Sequence, residues 1–415
     1  MRNYVCFFIM ACMCGHLAAC HQRGGTTGTR VDSKPYPIHL TDLQKAFVRD
    51  NNAFSLQFIK KVNDADASGK SFIYSPLSIT YALSMVNAAA AGTTQQELEQ
   101  TLGFREGGPQ AVNDFCKTLI DNLPMADKRV QLHIANAIFV NQDYQLKKAF
   151  LQDMQHYYKA LAESLDFTSL RTLGHINGWC SKKTHGMIPS ILGKIDPSAV
   201  SYLLNAIYFK ADWTNPFEKK RTKNEDFTTE NGPVEMPLMR QTEEFQYMNN
   251  GTFAAVRLPY GNGQWDMTVM LPENGNTPSD LIDYLAQNGM PSSDQFRFRQ
   301  VDLKLPRFET ESITGDLIGT LEKMGIKKVF DENASEVPNL CDKSVFINMM
   351  LQKARITVNE SGSEAAAVTA VEVFECLAVA DREEPVVFHA NRPFVYVIRE
   401  ISTGVILFVG KYTGK

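Results

Sequence analysis

The sequence predicts an α+β fold built on large, mainly antiparallel β-sheets. Three observations lead to this prediction: helix signals dominate the first half of the chain, strand patterns dominate the second half, and no internal repeat or low-complexity linker follows residue 40. Helices and strands that occupy separate parts of a chain are typical of α+β folds. Because sheet-rich folds can hold unusually long chains in one unit, we expect residues 40–415 to form a single domain.

Three helices are marked by their start signals. A serine or threonine before an apolar periodic segment accepts a hydrogen bond from a free backbone N–H, and glutamine or glutamate three residues later completes a capping box. Proline is favoured at the first helical position, where its missing N–H costs nothing. The predicted starts are Thr41 with Gln44, Ser75 followed by Pro76, and Thr94 with Glu97, the last helix ending at Gly103.

Alternating apolar residues predict the strands. Residues 130–140 place Val130, Leu132 and Ile138 on one face, because successive side chains of a strand point to opposite sides. Turn residues at 402–404 separate two apolar runs and predict a closing hairpin. The other predicted strands are 202–210, 253–258, 265–271, 299–305 and 345–358, and those of the hairpin are 394–398 and 405–409.

Charge and cysteine content exclude several classes of function. The 42 basic and 46 acidic residues give a net charge of −4, so nucleic acid is not an expected partner. Beyond residue 20 the cysteines lie far apart, at Cys116, Cys180, Cys341 and Cys376, which favours neither a zinc site nor a disulfide framework. We expect no metal, no cofactor, and mostly buried thiols.

No catalytic motif is complete. Gly69-Lys70-Ser71 looks like the end of a phosphate-binding loop, but the glycine required five residues earlier is Asp64. The chain has neither a G-x-S-x-G nucleophile motif nor an H-E-x-x-H metal motif. His133 falls on a predicted strand and is interpreted as a structural residue. We therefore expect that the protein is not an enzyme.

Residues 1–19 predict a lipoprotein signal peptide. The apolar run after Arg2 is too short to cross a bilayer of about 30 Å as a helix. Its ending, Leu17-Ala18-Ala19-Cys20, resembles the bacterial lipobox, in which the cysteine is lipidated and becomes the N-terminus. Residues 20–39 would then be a lipidated cysteine and a flexible tether, and we expect anchoring to a membrane of the cell envelope, at the outer membrane or cell surface. The alternative is an ordinary signal with an accidental cysteine.

The segment 360–373 combines small residues and charges in a pattern suited to a β-strand. At period two, one face carries small and β-branched side chains and the other carries glutamates at its ends. The first face is Ser363, Ala365, Ala367, Thr369, Val371 and Val373, and the second is Glu364, Ala366, Val368, Ala370 and Glu372. An alanine-rich surface helix is the alternative, although the β-branched residues weaken it. The residues alone leave strand, loop and helix open.

Several motifs, in order along the chain, resemble those of the serpin family. Glu360-Ser361-Gly362-Ser363-Glu364, then Ala365-Ala366-Ala367 and Thr369, looks like the serpin hinge. Further matches are 72–79, 136–139, 204–210, Trp213 with 216–217, 391–394 and 404–410. The resemblance covers the chain from about residue 40 onward. It implies the serpin fold, with three β-sheets, about nine helices and an exposed reactive-centre loop at about 360–387.

The resemblance implies a suicide-substrate inhibitor of serine proteases. In such proteins the protease cleaves the loop and is trapped as a covalent acyl-enzyme, while the freed hinge inserts into the main sheet as a new strand. Inward-facing hinge residues must be small and uncharged, and Ser363, Ala365, Ala367 and Thr369 meet this requirement. The alternative is a non-inhibitory serpin that binds a ligand or partner and is cleaved only as a substrate.

The resemblance also places the cleaved bond. It typically lies fourteen residues beyond the hinge glycine, and counting from Gly362 gives Cys376–Leu377. A slip of one residue would give the bond between Glu375 and Cys376, and Arg382 is a second candidate for trypsin-like enzymes. Because reduced cysteine is small and apolar, we expect elastase-like targets. Oxidation or alkylation of Cys376 should then slow inhibition; the alternative is an exposed thiol without a role.

Two further regions follow from the resemblance, the shutter and the breach, where the main sheet opens. The matching residues are Ser75, Ser78, Asn205, Trp213 and Gln352. Serpins usually carry histidine at the position of Gln352, so we expect no pH response of the shutter. The region matching the family's cofactor helix, about 111–124, carries Lys117 as its single basic residue, so we expect no heparin-type activator. We expect a monomer.

Overall fold

A computed structural model describes residues 35–312, 315–363 and 384–415. These residues form eight α-helices and four short 3₁₀ helices, where about nine helices were expected. The α-helices are α1 (Asp42–Ala65), α2 (Pro76–Ala89), α3 (Gly92–Leu102), α4 (Gly108–Asn122), α5 (Lys148–Tyr158), α6 (Leu170–Lys183), α7 (Pro278–Asn288) and α8 (Ile318–Met324). The 3₁₀ helices are Leu123–Met125, Lys219–Arg221, Ser293–Gln295 and Lys328–Phe330.

The same residues contain fifteen strands, most of them in the second half of the chain. The first five are β1 (Phe72–Tyr74), β2 (Gln131–Asn141), β3 (Leu161–Leu165), β4 (Ser201–Asp212) and β5 (Lys223–Thr229). The next five are β6 (Gly232–Asn249), β7 (Phe253–Tyr260), β8 (Trp265–Pro272), β9 (Arg297–Pro306) and β10 (Phe308–Glu311). The last are β11 (Met349–Asn359), β12 (Gly362–Ser363), β13 (Val386–His389), β14 (Phe394–Glu400) and β15 (Ile406–Tyr412). The predicted α+β class is confirmed.

Backbone hydrogen bonds join the strands into two networks. One has nine strands, in the order β1–β15–β14–β8–β7–β6–β9–β13 with β5 attached to β6. The other is a six-stranded sheet, β10–β11–β12–β4–β2–β3, in which β11 also pairs with β4. The expected three sheets are present because β6 belongs to two of them. It pairs with β5 and β9 over most of its length and with β7 through its last residues.

Helix α2 and several aromatic rings fill the space where the two networks meet. α2 contacts β15 of the nine-stranded network and β2 and β4 of the six-stranded sheet. Almost every residue of α2 is buried, because neighbouring helices and strands of both networks surround it. Phe209 of β4 packs edge-on against Trp265 and Phe408, with ring centroids 5.8 and 6.0 Å away. Among the helices in the described ranges, none is long and apolar enough to span a membrane.

Two of the three predicted helix starts are observed, and the third is wrong. The Thr41–Gln44 capping box is present, and the Ser75 hydroxyl accepts a hydrogen bond from the N–H of Ser78 at 3.3 Å. Helix α3, however, begins two residues before Thr94. Its free N–H groups are bound by the carboxylate of Glu336, 2.8 Å from the nitrogen of Thr93. A cap supplied by a residue so distant in sequence leaves no local signal.

Candidate functional site

Strands β4 and β11, at the centre of the six-stranded sheet, change partner along their length. Residues 202–207 of β4 pair in parallel with residues 349–354 of β11. Further along, Ala211 of β4 and Val358 of β11 no longer pair with each other, and both pair with β12. We call this end of the gap between the two strands the breach. Every second residue of β11, from 350 to 358, is buried and defines the inward face of the sheet.

The two residues of β12 are the first residues of the predicted hinge strand. Ser363 lies opposite Ala211 on one side and Val358 on the other, and Gly362 lies opposite the next residue of each strand. Both pairings are antiparallel. The hinge therefore already occupies the breach as a short central strand.

Gly362 is required by the close approach of the β4 backbone. Its φ is +155°, and a Cβ atom at this position would lie 2.1 Å from the carbonyl oxygen of Ala211 and 2.6 Å from the Cα of Asp212. These are backbone atoms of a strand, so they cannot rotate away as a side chain would. Any larger residue would therefore displace the hinge from the breach.

The side chain of Ser363 points into the core. Its hydroxyl forms a hydrogen bond of 2.6 Å with the hydroxyl of Tyr260, and both residues are completely buried. The Tyr260 ring stacks on Trp213 with centroids 4.3 Å apart. Trp213 donates its indole N–H to the carbonyl of Asn359 and its backbone N–H to that of Ser361. Burial raises the pKa of Tyr260 far above its ordinary value, so this phenol stays neutral.

Glu360 is almost completely buried just before the hinge strand. Its carboxylate accepts hydrogen bonds from the Arg307 guanidinium and from the Thr222 hydroxyl, and its carbonyl accepts one from the N–H of Phe217. Burial alone would raise the pKa of Glu360, but these hydrogen bonds and the charge of Arg307 outweigh it and lower the pKa. The ionised carboxylate therefore helps to fix the chain where it enters the breach.

The shutter residues lie further along the same gap and are all buried. Gln352 accepts a hydrogen bond from the N–H of Ser75 and donates to its carbonyl, each at 2.8 Å, and donates to Asn205 at 3.0 Å. Asn205 in turn donates to Ser78 and, at 2.6 Å, to Asn136. Gln352 thus reaches Asn205 directly and Ser78 only through Asn205. The network ties β4, β11 and β2 to the start of α2.

The structure describes only part of the predicted site. Glu360, Gly362, Ser363, Trp213 and the shutter residues lie along one gap in the sheet. The predicted residues outside the described ranges are Cys20, Glu364, Ala365, Ala366, Ala367, Thr369, Cys376, Leu377 and Arg382. Sequence reasoning missed the breach contacts of Tyr260, Arg307 and Thr222, because none of these residues belongs to a local motif.

The remaining polar candidates do not assemble a metal centre in the described residues. No three histidine, cysteine, aspartate or glutamate side chains converge there as metal ligands would. His133 lies on the exposed part of β2 with its ring against His185 and Tyr208. Cys116, Cys180 and Cys341 are buried and free, as predicted. Burial raises the pKa of Cys116 and Cys180 to about 12, so both remain thiols.

Comparison with known proteins identifies the family. Residues 49–414 match the family described as serpin, serine protease inhibitor. An uncharacterised serpin-like protein of Thermococcus kodakarensis is 30% identical over 386 residues, covering 91% of this chain and 87% of the relative. The crystal structure of tengpin, a thermophilic serpin in its native state, superposes with a TM-score of 0.81 at 28% identity, covering 92% of this chain and 97% of tengpin. Thyroxine-binding globulin in complex with thyroxine superposes with a TM-score of 0.75 at 26% identity, covering 89% and 98%. The chain therefore belongs to the serpin family, whose members are generally inhibitors of serine proteases, although some are not inhibitory.

Proposed function

We propose that this serpin is a suicide-substrate inhibitor that traps a serine protease by inserting its cleaved loop between β4 and β11. In this mechanism the protease serine attacks the carbonyl carbon of the scissile bond, the amine of the next residue leaves with a proton, and an acyl ester to the loop remains. The hinge then continues into the sheet and carries the attached protease with it. The observation that carries the proposal is the position of Ser363, which already lies between the two strands.

Extension of the Ser363 register brings the small hinge residues to the inward face. Each hinge residue would be flanked by one residue of β4 and one of β11. These two residues already lie opposite each other in the β4–β11 ladder, or continue its register beyond the last pair. Insertion therefore requires the two strands to separate but not to slide along each other. All five inward positions of β11 are buried. Because this inward face is closely packed, a strand inserted beside it must carry small inward side chains. In the inserted strand Ala365 would lie between Phe209 and Ile356, Ala367 between Ile207 and Ala354, and Thr369 between Asn205 and Gln352.

Cleavage is needed because the other end of the loop is held in the nine-stranded network. Strand β13 begins at Val386 and pairs in parallel with residues 301–304 of β9. A hinge strand that descends along β4 pulls against this attachment until the loop is cut. Once free, the hinge exchanges one β4–β11 ladder for two new ladders, and each net hydrogen bond contributes about 0.5–1.5 kcal/mol.

The proposed scissile bond is Cys376–Leu377, with elastase-like enzymes as targets. The support is the count from Gly362 and the small, apolar side chain of a reduced cysteine, which suits a small primary pocket. Incubation of residues 21–415 with an elastase should give a covalent complex that survives a denaturing gel. Mass spectrometry should find a released peptide that begins at Leu377.

Other proteases distinguish the alternatives. A complex with trypsin and a peptide that begins after Arg382 would move the site. Cleavage without a complex by elastase-, trypsin-, chymotrypsin- and subtilisin-like enzymes would leave the non-inhibitory alternative, in which the loop is only a substrate.

We further propose that the mature chain begins at a lipidated Cys20 and is held at the cell envelope. The support is the Leu17-Ala18-Ala19-Cys20 ending and the glycine- and threonine-rich composition of residues 21–34 that follow it. Expression in a bacterium with labelled palmitate should label the wild-type protein, and Cys20→Ser should abolish the label. Equal labelling of both would contradict the anchor and leave the inhibitory mechanism untouched.

A further inference from the structure

The turn that joins β7 to β8, residues 261–264, directly follows Tyr260, the residue whose hydroxyl contacts the hinge strand. One side of this β7–β8 turn is held by the end of β4. The N–H of Gly261 donates to the carbonyl of Asp212 at 2.8 Å, and the carbonyl of Gly261 accepts a hydrogen bond of 3.0 Å from the Thr214 hydroxyl. The strand that pairs with the hinge therefore also fixes the turn.

The other side of the turn is held by Asp127, which lies in the connection between α4 and β2. This side chain is only 3% exposed. One carboxylate oxygen accepts a hydrogen bond of 2.6 Å from the backbone N–H of Asn262, and the other accepts one of 2.9 Å from the N–H of Arg129. The side-chain amide of Asn262 donates in return to the carbonyl of Ala126 at 3.3 Å. Both carboxylate oxygens of Asp127 are thus used as acceptors.

The carboxylate lies directly against the backbone of the turn. Gly261 has a φ of +53°, and a Cβ atom at this position would lie 1.9 Å from Oδ2 of Asp127. A side chain on Gly261 is therefore excluded by the carboxylate as well as by the backbone conformation. Because Gly261 is bonded to Tyr260, a shift of the turn also moves the residue that contacts the hinge.

Tyr260 passes the position of the turn to the hinge. Its ring stacks on Trp213, and its hydroxyl and that of Ser363 lie 2.6 Å apart. A hydrogen bond weakens steeply when its angle falls below about 120°. A small rotation of the Tyr260 ring is therefore enough to release Ser363 from this contact.

We propose that Asp127 is a positioning residue for the hinge and acts through the β7–β8 turn and Tyr260. Held from both sides, the turn keeps Tyr260 aligned with Ser363 and the hinge strand in the breach. Without the carboxylate only the end of β4 holds the turn, and the hinge leaves the breach more often. The α4–β2 connection thereby controls how fully the breach is occupied.

This control extends to the fate of the trapped protease, a consequence that rests on the proposed inhibitory mechanism. After cleavage the acyl ester either is carried along by the inserting loop or reacts with water. The second reaction gives a free carboxylate on the loop and restores the hydroxyl of the protease serine. Because insertion starts from the occupied breach, Asp127 favours trapping over hydrolysis.

Hydrogen–deuterium exchange of the uncleaved chain, residues 21–415, tests the proposal by mass spectrometry. Asp127→Asn keeps the shape of the side chain but offers one acceptor oxygen where two are used. We expect residues 360–363 to exchange about two to ten times faster than in wild type, the factor for one lost hydrogen bond. Residues 349–354 of β11, which pair directly with β4, should exchange at the wild-type rate, because only the breach is opened.

Asp196→Asn is the matched control. Asp196 forms the same kind of turn ahead of β4, where its carboxylate accepts the N–H of Ser198 at 2.9 Å. In the described chain this carboxylate bonds to Ser198 and not to the β7–β8 turn. Thr214→Val removes the hydroxyl on the other side of the turn and should speed exchange at 360–363 by a smaller factor, because Thr214 is exposed and water can replace its hydroxyl. It carries the test if Asp127→Asn does not fold.

Three outcomes would overturn the proposal. One is wild-type exchange of residues 360–363 in both turn variants, and another is an equal acceleration at residues 349–354, which would indicate a general loss of stability. The third is the same acceleration in Asp196→Asn. With an elastase, Asp127→Asn should also lower the ratio of complex to cleaved product. Absence of a complex with the wild-type protein would contradict the inhibitory mechanism alone, because the exchange is measured without a protease.

Discussion

The breach and the shutter are two parts of the same gap between β4 and β11, yet they are held differently. At the breach the strands are already apart, and Ser363 fills the space with a hydrogen bond to Tyr260. At the shutter the strands pair directly, and buried amides link Gln352 and Asn205. The same two strands therefore accept a third strand at one end and exclude it at the other.

This difference shows where insertion is opposed. The breach lacks a direct β4–β11 ladder, so the hinge meets no backbone barrier there. The shutter presents six paired rows and a polar network that must be rearranged before the next strand can enter. Small hinge residues matter most at these closed rows, because the strand that enters them must pack against a buried face.

The largest expected effect comes from a charge at an inward position. Ala367→Glu should abolish the covalent complex and turn the protein into a substrate, because the carboxylate would be buried between Ile207 and Ala354 at a cost of several kcal/mol. The measurement is the ratio of complex to cleaved product on a denaturing gel. Ala366→Glu is the matched control, since this neighbour would face outward beside Arg355. Equal complex yields for the two variants would contradict the insertion register.

The next effect concerns the shutter. Gln352→Leu keeps the side-chain volume but leaves the backbone N–H and carbonyl of Ser75 and the amide oxygen of Asn205 without this partner. We expect a loss of roughly 2–5 kcal/mol in the free energy of unfolding, measured in urea. Lys353→Leu, on the other face of the same strand, should change it far less. If both variants were equally stable, the network would not be what holds this part of the gap closed.

A smaller effect is expected at the breach. Tyr260→Phe removes the hydroxyl that contacts Ser363 and should cost about 1 kcal/mol. A double-mutant cycle with Ser363→Ala isolates the pair, and we expect a coupling of about 0.5–1.5 kcal/mol. A coupling near zero would mean that the hinge does not occupy the breach in solution.

The smallest effect is a pH dependence at Glu360. Because the pKa of this carboxylate is lowered in the folded state, its stabilising contribution is present above the ordinary value of 4.5 and is lost as the pH falls through the folded pKa. Glu360→Gln should therefore lose less stability than wild type between pH 6 and pH 3 in urea titrations. Glu235→Gln, at an exposed position, should follow wild type. Parallel curves for all three would contradict the role of Glu360.

Local patterns predicted the elements whose signals are local. The Thr41 capping box, the Ser75-Pro76 start and the C-terminal hairpin all lie within a few residues of the structure that they define. Strand β6 was not predicted for two reasons. It belongs to two sheets, so its buried residues do not alternate regularly, and it contains prolines at 233 and 237. The start of α3 was misplaced, because its cap comes from Glu336.

In the candidate site, too, the residues of the local hinge pattern were predicted and their distant partners were not. The hinge pattern predicted small side chains on the inward face of the hinge. Of these inward hinge residues, only Ser363 lies within the described ranges, and it is buried. The partners of this segment were not predictable from local sequence. Tyr260 lies 103 residues from Ser363, and Arg307 lies 53 residues from Glu360. Such contacts arise only when the sheets assemble.

The most direct test of loop insertion is the thermal stability of the chain before and after cleavage within residues 364–383. A protease that cuts there without forming a complex supplies the cleaved form, and circular dichroism gives both melting temperatures. If the freed hinge enters between β4 and β11, the new ladders should raise the melting temperature by roughly 10 °C or more. An unchanged or lower melting temperature would contradict the central claim that this gap accepts the cleaved loop.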